Sequence, residues 1–157
     1  MDEKEFARYI ELYHGTVYRL AYSYLKNCAD AEDVCSEAFF RLYKYTGSFE
    51  TDENCKAWLM RVTVNMAKNQ LKSVWYCKRS ELDENIPTEN IPDPELYEKV
   101  MKLPPKYRLV IHLYYFEGYS VKEISYIAKT PVSTVTTQLG RARKQLKTLI
   151  EKEMSAQ

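Results

Sequence analysis

Apolar side chains return every three or four residues through almost the whole of this 157-residue chain. Phe6, Tyr9, Ile10, Tyr13, Val17, Leu20, Ala21 and Tyr24 form the first such stripe. A period near 3.6 residues gives a helix one apolar face to bury. It predicts a first helix over about residues 4–26. A second is predicted from Asp30, a good N-cap, with Val34, Ala38 and Leu42 facing the core and an end near Gly47. After the loop "GSFETDEN", 47–54, a third runs from about Cys55 to Lys72 or beyond, with Leu59, Val62 and Met66 turned inward. The predicted fold class is all-α.

The period breaks at residues 80–98, "SELDENIPTENIPDPELYE", which hold three prolines, seven acidic residues and no Lys or Arg. Proline removes backbone donors and like charges repel, so the first part reads as a linker, residues 80–94. Two small helical domains result, 1–79 and 95–157. At ~3.3–3.6 Å per residue such a linker reaches at most ~50 Å, enough to straddle more than one ~34 Å turn of DNA.

The second domain carries "LPPKYRLVIHLYYFEG", 103–118, where Pro105 suits a first helical turn and Gly118 a helix end. "SVKE", 120–123, is an S-x-x-E capping box. It opens a short helix with Ile124, Ile127 and Ala128 on its apolar side. Pro131 forces a turn at "KTPVS", and a last helix keeps Val135, Leu139, Ala142, Leu146 and Leu149 on one face. Helix, tight turn and basic-tailed helix are the parts of a helix-turn-helix. At 100° per residue, Thr134, Thr137, Arg141, Lys144 and Thr148 point away from the core. Hydroxyls and Arg141 near the helix start suit base edges; Arg143, Lys144 and Lys147 suit phosphates. The competing reading is an ordinary helix whose basic end is solvated and favoured by the macrodipole.

Formal net charge is only +1, so attraction to nucleic acid must be local. The N-terminus, "MDEKEF", lacks a signal-peptide profile, and no apolar run reaches the ~20 residues that span a bilayer. A cytoplasmic protein without membrane insertion is expected. Cys28, Cys35, Cys55 and Cys77 form no C-x-x-C pair and have no histidine at zinc-ligand spacing, which points to reduced, partly buried thiols. Gly15, Gly47, Gly118 and Gly140 never cluster, so no phosphate-cradling loop is present. "ELYH", 11–14, is a single E-x-x-H, whereas a di-iron bundle uses two with two further glutamates. No nucleophile–base constellation stands out. Neither enzyme activity, metal nor cofactor is expected.

Two other helix faces carry chemistry. Trp58, Arg61, Asn65, Lys68 and Lys72 fall at spacings of 3, 4, 3 and 4 on one face of the third helix. An aromatic beside amide and basic groups offers single-stranded nucleic acid a stacking surface, an edge reader and phosphate partners. A structural Trp beside a solvated charged face is the alternative. Trp75, Lys78 and Arg79 extend the basic character. On the second helix, Asp30, Asp33, Glu37 and Arg41 share a face next to the core stripe. Capping, dipole complementarity and a Glu37–Arg41 pair explain much of it, at most ~2 kcal/mol. They leave an exposed Phe40 unexplained.

These parts together resemble the sigma factors of bacterial RNA polymerase, of the small two-domain kind called extracytoplasmic function. "DAEDVCSEAFFRLYK", 30–44, looks like the family's most recognisable first-domain motif. "KAWLMRVTVNMAKNQLK", 56–72, is similar to the segment that opens and reads the minus-ten element. The segment from Leu103 to Leu146 resembles the second domain, whose final helix reads the minus-thirty-five element. The resemblance implies a promoter-specificity subunit that binds core RNA polymerase and promoter DNA, with an anti-sigma factor as a separate chain. Asp30, Asp33, Glu37, Phe40 and Arg41 would dock on the basic coiled coil of the largest subunit's clamp. Phe49 matches a position that helps form a pocket for a flipped base, and Asn65 another reader; Trp58 is either part of the stacking surface or a support of that pocket. Thr136 and Gln138 stand where the family often has a basic residue, and Gly140 replaces a larger one. The promoter sequence read by Thr134, Thr136, Thr137, Gln138, Arg141, Arg143 and Lys144 therefore does not carry over. The acidic linker resembles the segment that occupies the RNA exit channel. The alternative function is a helix-turn-helix regulator that acts on DNA without polymerase.

Overall fold

A computed structural model describes residues 1–72 and 93–156, and every regular element among them is a helix. The chain divides into two compact units, Met1–Glu84 and Asn85–Gln157. The expected linker lies outside the described residues except for Asp93 and Pro94, as do Trp75, Cys77, Lys78 and Arg79.

The first unit packs three helices. Asp2 caps α1, Glu3–Leu25, by accepting from the Glu5 amide at 3.0 Å. α1 ends at Lys26, whose φ of 56° turns the chain left-handed. α2, Cys28–Lys44, follows at once. Its N-cap is Asn27, not Asp30: the Asn27 side chain accepts from the Asp30 amide at 2.9 Å. Asp30 lies inside the first turn, because the tight exit from α1 starts the helix earlier than the acidic run suggests. α3, Asp52–Lys72, also starts earlier than Cys55. Thr51 Oγ1 accepts from the Asn54 amide at 3.1 Å, and Asp52 and Glu53 place negative charge in the first turn, where the helix dipole favours it.

The core of this unit is built from Tyr9, Val17, Leu20 and Ala21 of α1, Ala31, Val34, Ala38 and Leu42 of α2, and Cys55, Leu59, Met60, Val64 and Ala67 of α3. The inward stripe of α3 is rotated from the one expected. Val62 and Met66 are only half-buried, and Thr63 is fully buried in their place. Its hydroxyl donates to the Leu59 carbonyl at 2.7 Å, so a polar residue reaches the core without an unpaired donor. α1 also tethers the start of α3. Arg8 donates to both Asp52 carboxylate oxygens, at 2.7 and 3.0 Å, and the Tyr13 hydroxyl donates to the Asp52 carbonyl at 3.1 Å.

The second unit begins with α4, Pro94–Val100, capped by Asp93 through the Leu96 amide at 3.1 Å. α5, Pro105–Ile111, passes into a π-helical turn, His112–Phe116, before Gly118 reverses the chain at φ 76°. The capping box of α6, Val121–Ala128, forms in full: Ser120 Oγ and Glu123 Oε1 each accept a backbone N–H at 3.1 Å. Lys129, at φ 52°, opens the turn, and Ser125 Oγ locks it by donating to the Thr130 carbonyl at 2.6 Å. α7, Val132–Ser155, follows Pro131. Ile124, Ile127 and Ala128 of α6 and Val135, Leu139 and Ala142 of α7 are buried with Tyr97, Leu109, Val110 and Leu113. Lys99 bonds Glu153 at 2.8 Å and ties α4 to the far end of α7.

Candidate functional site

Three surfaces match the residues singled out in the sequence. The first is the outer face of α2. Asp33, Glu37, Phe40 and Arg41 are all exposed. Phe40 leaves half its surface in solvent, with the Lys44 ammonium 4.5 Å from its ring centre. Arg41 Nε lies 3.4 Å from Glu37 Oε1, an exposed i,i+4 pair of little folding value. Asp30 does not belong to this face. It is only 3% exposed, since the first turn of α2 folds against the rest of the unit. Tyr43, half-exposed and edge-on to Phe6 at 5.1 Å, widens the apolar part of the patch. No helical period marks Tyr43 as part of this face.

The second surface joins the loop after α2 to α3. Phe49, Trp58 and Tyr45 meet in one aromatic cluster. Tyr45 stacks on Phe49 with ring centres 4.8 Å apart and planes 15° apart; Trp58 lies 5.1 Å from Tyr45 and 6.0 Å from Phe49. Tyr9 approaches Phe49 edge-on at 6.4 Å. Trp58 is thus a half-buried wall of the cluster that also holds Phe49. Arg61, Asn65 and Lys68 follow it along α3, half-buried, and Lys72 is exposed. Tyr45 is not legible in the sequence, because a tyrosine after a helix end carries no spacing signal of its own.

The third surface is the start of α7. Thr134, Thr137, Arg141 and Lys144 are exposed, and Gln138 is half-buried. Arg141, Lys144, Gln145 and Thr148 line a groove of about 330 Å³ with Tyr107. The Thr137 hydroxyl donates to the Ser133 carbonyl at 3.0 Å, which leaves its lone pair and methyl group outward. Thr136 and Arg143 are two turns apart and leave the helix on another side. Arg143 is engaged within its own unit: Nε donates to the Tyr115 hydroxyl at 2.7 Å, and the guanidinium lies 5.5 Å from the Tyr114 ring. It edges an apolar groove of about 400 Å³ lined by Leu96, Ile111, Tyr115, Leu146 and Ile150. Arg143 therefore stands apart from the face that holds Arg141 and Lys144.

Two thiols and both histidines pack within their own units. Cys35 and Cys55 are buried free thiols, and burial pushes them up to about 11 and about 12, far from thiolate formation near neutral pH. His14 stacks on Phe39 at 6.1 Å, and His112 is fully buried with Nε2 3.3 Å from Glu117 Oε1. Among the described residues no three His, Cys, Asp or Glu side chains group to hold a metal ion.

Two helical domains, the second a helix-turn-helix, define the class of protein. Residues 9–76 match the family model for Sigma-70 region 2, and residues 94–146 that for Sigma-70, region 4. The chain is 32% identical to the ECF RNA polymerase sigma factor SigW of Bacillus subtilis over 93% of this chain and 89% of that one. It is 30% identical to the ECF RNA polymerase sigma-E factor of Escherichia coli K12, over 92% and 86%. Its fold is similar to that of the sigma factor RpoE in complex with the anti-sigma factor NepR from Bartonella quintana, with a TM-score of 0.73, 21% identity, and coverage of 94% of this chain and 98% of that one. CnrH, solved in complex with the cytosolic domain of CnrY, is similar at a TM-score of 0.68 and 21% identity, over 96% and 90%. The chain belongs to the extracytoplasmic function sigma factors of the sigma-70 family.

Proposed function

We propose that this chain is a promoter-specificity subunit, which binds core RNA polymerase in the cytoplasm and directs it to promoters with minus-ten and minus-thirty-five elements. It performs no chemical step itself; the polymerase does. Asp33, Glu37, Phe40 and Arg41 dock on the basic coiled coil of the largest subunit's clamp. Phe49 and Asn65 take a flipped base of the minus-ten element, Trp58 supports them, and Arg61, Lys68 and Lys72 follow the separated strand's phosphates. Thr134, Thr137 and Arg141 face base edges of the minus-thirty-five element, with Gln138 at the margin and Lys144 on phosphate. A separate anti-sigma chain is the proposed inhibitor, as the sigma factor RpoE above was solved with the anti-sigma factor NepR. Among the described residues no helix is long and apolar enough to cross a membrane.

The observation that carries this reading is the outer face of α2. It exposes Phe40 to half its surface beside exposed Asp33 and Glu37, and the contacts of Phe40 with Lys44 and of Glu37 with Arg41 stay within one helix and in solvent. An apolar anchor beside exposed carboxylates suits a partner that is itself basic. The purified chain should therefore co-elute with core polymerase in gel filtration. Asp33→Lys with Glu37→Lys should abolish co-elution while leaving helix content and melting near wild type, because exposed charges carry little folding energy. Retained co-elution of the double variant would refute the docking assignment. A chain that binds duplex promoter DNA but never core polymerase would be a simple regulator.

A further inference from the structure

The loop from Tyr45 to Thr51 carries Phe49, and backbone bonding explains little of its shape. The Tyr45 amide donates to the Leu42 carbonyl at 3.0 Å, which closes α2. Beyond that point the chain is held by rings. The Tyr45 side chain folds back over the loop and lies flat on Phe49, at 4.8 Å and 15°. Its path crosses Gly47. A Cβ built on Gly47 would stand 2.6 Å from the Tyr45 hydroxyl oxygen and 2.7 Å from Cζ. No side chain fits there while the Tyr45 ring stays in place. Trp58 backs the Tyr45 ring at 5.1 Å, and Tyr9 meets Phe49 edge-on at 6.4 Å.

We propose that Tyr45 is the positioning residue of the base-capture loop, and that Gly47 is glycine so that the Tyr45 ring can cross the backbone and fix Phe49. The inference rests on the reading that Phe49 helps to capture a flipped base. A loop residue that must order itself on binding loses affinity to that ordering. Phe49 is spared this loss because Tyr45 lies flat on one face and Trp58 and Tyr9 pack at an angle to it, at 6.0 and 6.4 Å. An incoming base therefore meets a ring already in place. Tyr45 acts through Phe49 rather than by taking the base itself. Its ring matters and its hydroxyl does not, since stacking supplies the contact.

The test uses the full chain assembled with core polymerase on a promoter duplex that carries 2-aminopurine at successive minus-ten positions. Fluorescence rises where a base leaves the stack. Phe49→Ala locates the captured position as the one whose signal it lowers. Tyr45→Ala should lower the signal at that same position by about fivefold to a hundredfold, the span that one stacked base covers. Tyr45→Phe should keep it. Gly47→Ala should lower it in the wild-type chain and add nothing in the Tyr45→Ala background, because the clash is then gone. Co-elution with core polymerase checks that each variant folds. If Phe49→Ala lowers the signal while Tyr45→Ala and Gly47→Ala do not, the inference fails and the base-capture reading stands. The inference also fails if Gly47→Ala costs as much without Tyr45 as with it. If Phe49→Ala itself changes nothing, the base-capture reading falls, and the inference with it.

Discussion

Asp30 and Asp33 stand three residues apart on α2 and meet different surroundings. Asp30 is 3% exposed in the first turn, whereas Asp33 is exposed. Asp30→Ala should cost ~1–3 kcal/mol of unfolding free energy, the range for a buried polar group whose partners are left unpaired. Asp33→Ala should stay within ~0.5 kcal/mol. Urea melts of the two variants check this, and equal costs would mean that burial does not separate their roles. On α7 the contrast is between Arg141 and Lys144. A guanidinium can donate two parallel bonds to a guanine edge, and an ammonium is a point charge for phosphate. Arg141→Ala should weaken promoter use by ~1–3 kcal/mol and relax preference at one position. Lys144→Ala should weaken all promoters alike and lower the salt slope by about one. Transcription from a randomised minus-thirty-five library at two salt concentrations measures both. A uniform loss without changed preference in Arg141→Ala would make Arg141 a phosphate contact.

At the scale of elements, the junction of α1 and α3 is held by polar contacts. The Arg8 guanidinium holds the Asp52 carboxyl below the usual carboxylate range. A carboxylate whose folded value is depressed stabilises the fold above its unfolded value near pH 4, and that contribution is lost as pH falls through the folded value. Asp52→Asn should therefore melt lower than wild type at neutral pH, and the gap should close as pH falls below about 4. A gap that persists unchanged into acid would mean that the ion pair is not its source. The same junction shows how sequence reasoning misplaces an element. Helical period found α1, α2 and α3, because each buries a continuous stripe. It could not set where α2 and α3 begin. Those starts depend on Asn27 and Thr51 accepting amide protons, and several polar residues in each segment could have done so. Nor could it fix the rotation of α3. Thr63 is polar by type but buried, because it bonds its own helix. The helix-turn-helix was more legible. Its capping box and Pro131 are local signals that need no tertiary partner, and both act where the sequence places them. The loop after α2 was least legible, since the Tyr45–Gly47–Phe49 arrangement is a matter of ring positions that no period encodes.

Across the whole molecule, each of the two units carries a different kind of surface. The first offers an acidic and apolar face together with an aromatic cluster beside basic groups. The second offers a helix-turn-helix whose outward face is threonine, arginine and lysine. A near-neutral net charge of +1 fits this division, since acidic and basic faces cancel in the sum. The chain is proposed to make a polymerase open a promoter, and to do so through α3 and its preceding loop. Permanganate reactivity of minus-ten thymines, with purified core polymerase and the chain on one mapped promoter, tests that claim most directly. Core polymerase alone should leave the thymines unreactive, and addition of the chain should expose them. Phe49→Ala and Asn65→Ala should still form a closed complex through the second unit, with reactivity reduced as stacking worth ~1–3 kcal/mol per base is lost. Undiminished reactivity in both variants, or none with the wild-type chain, would contradict the account.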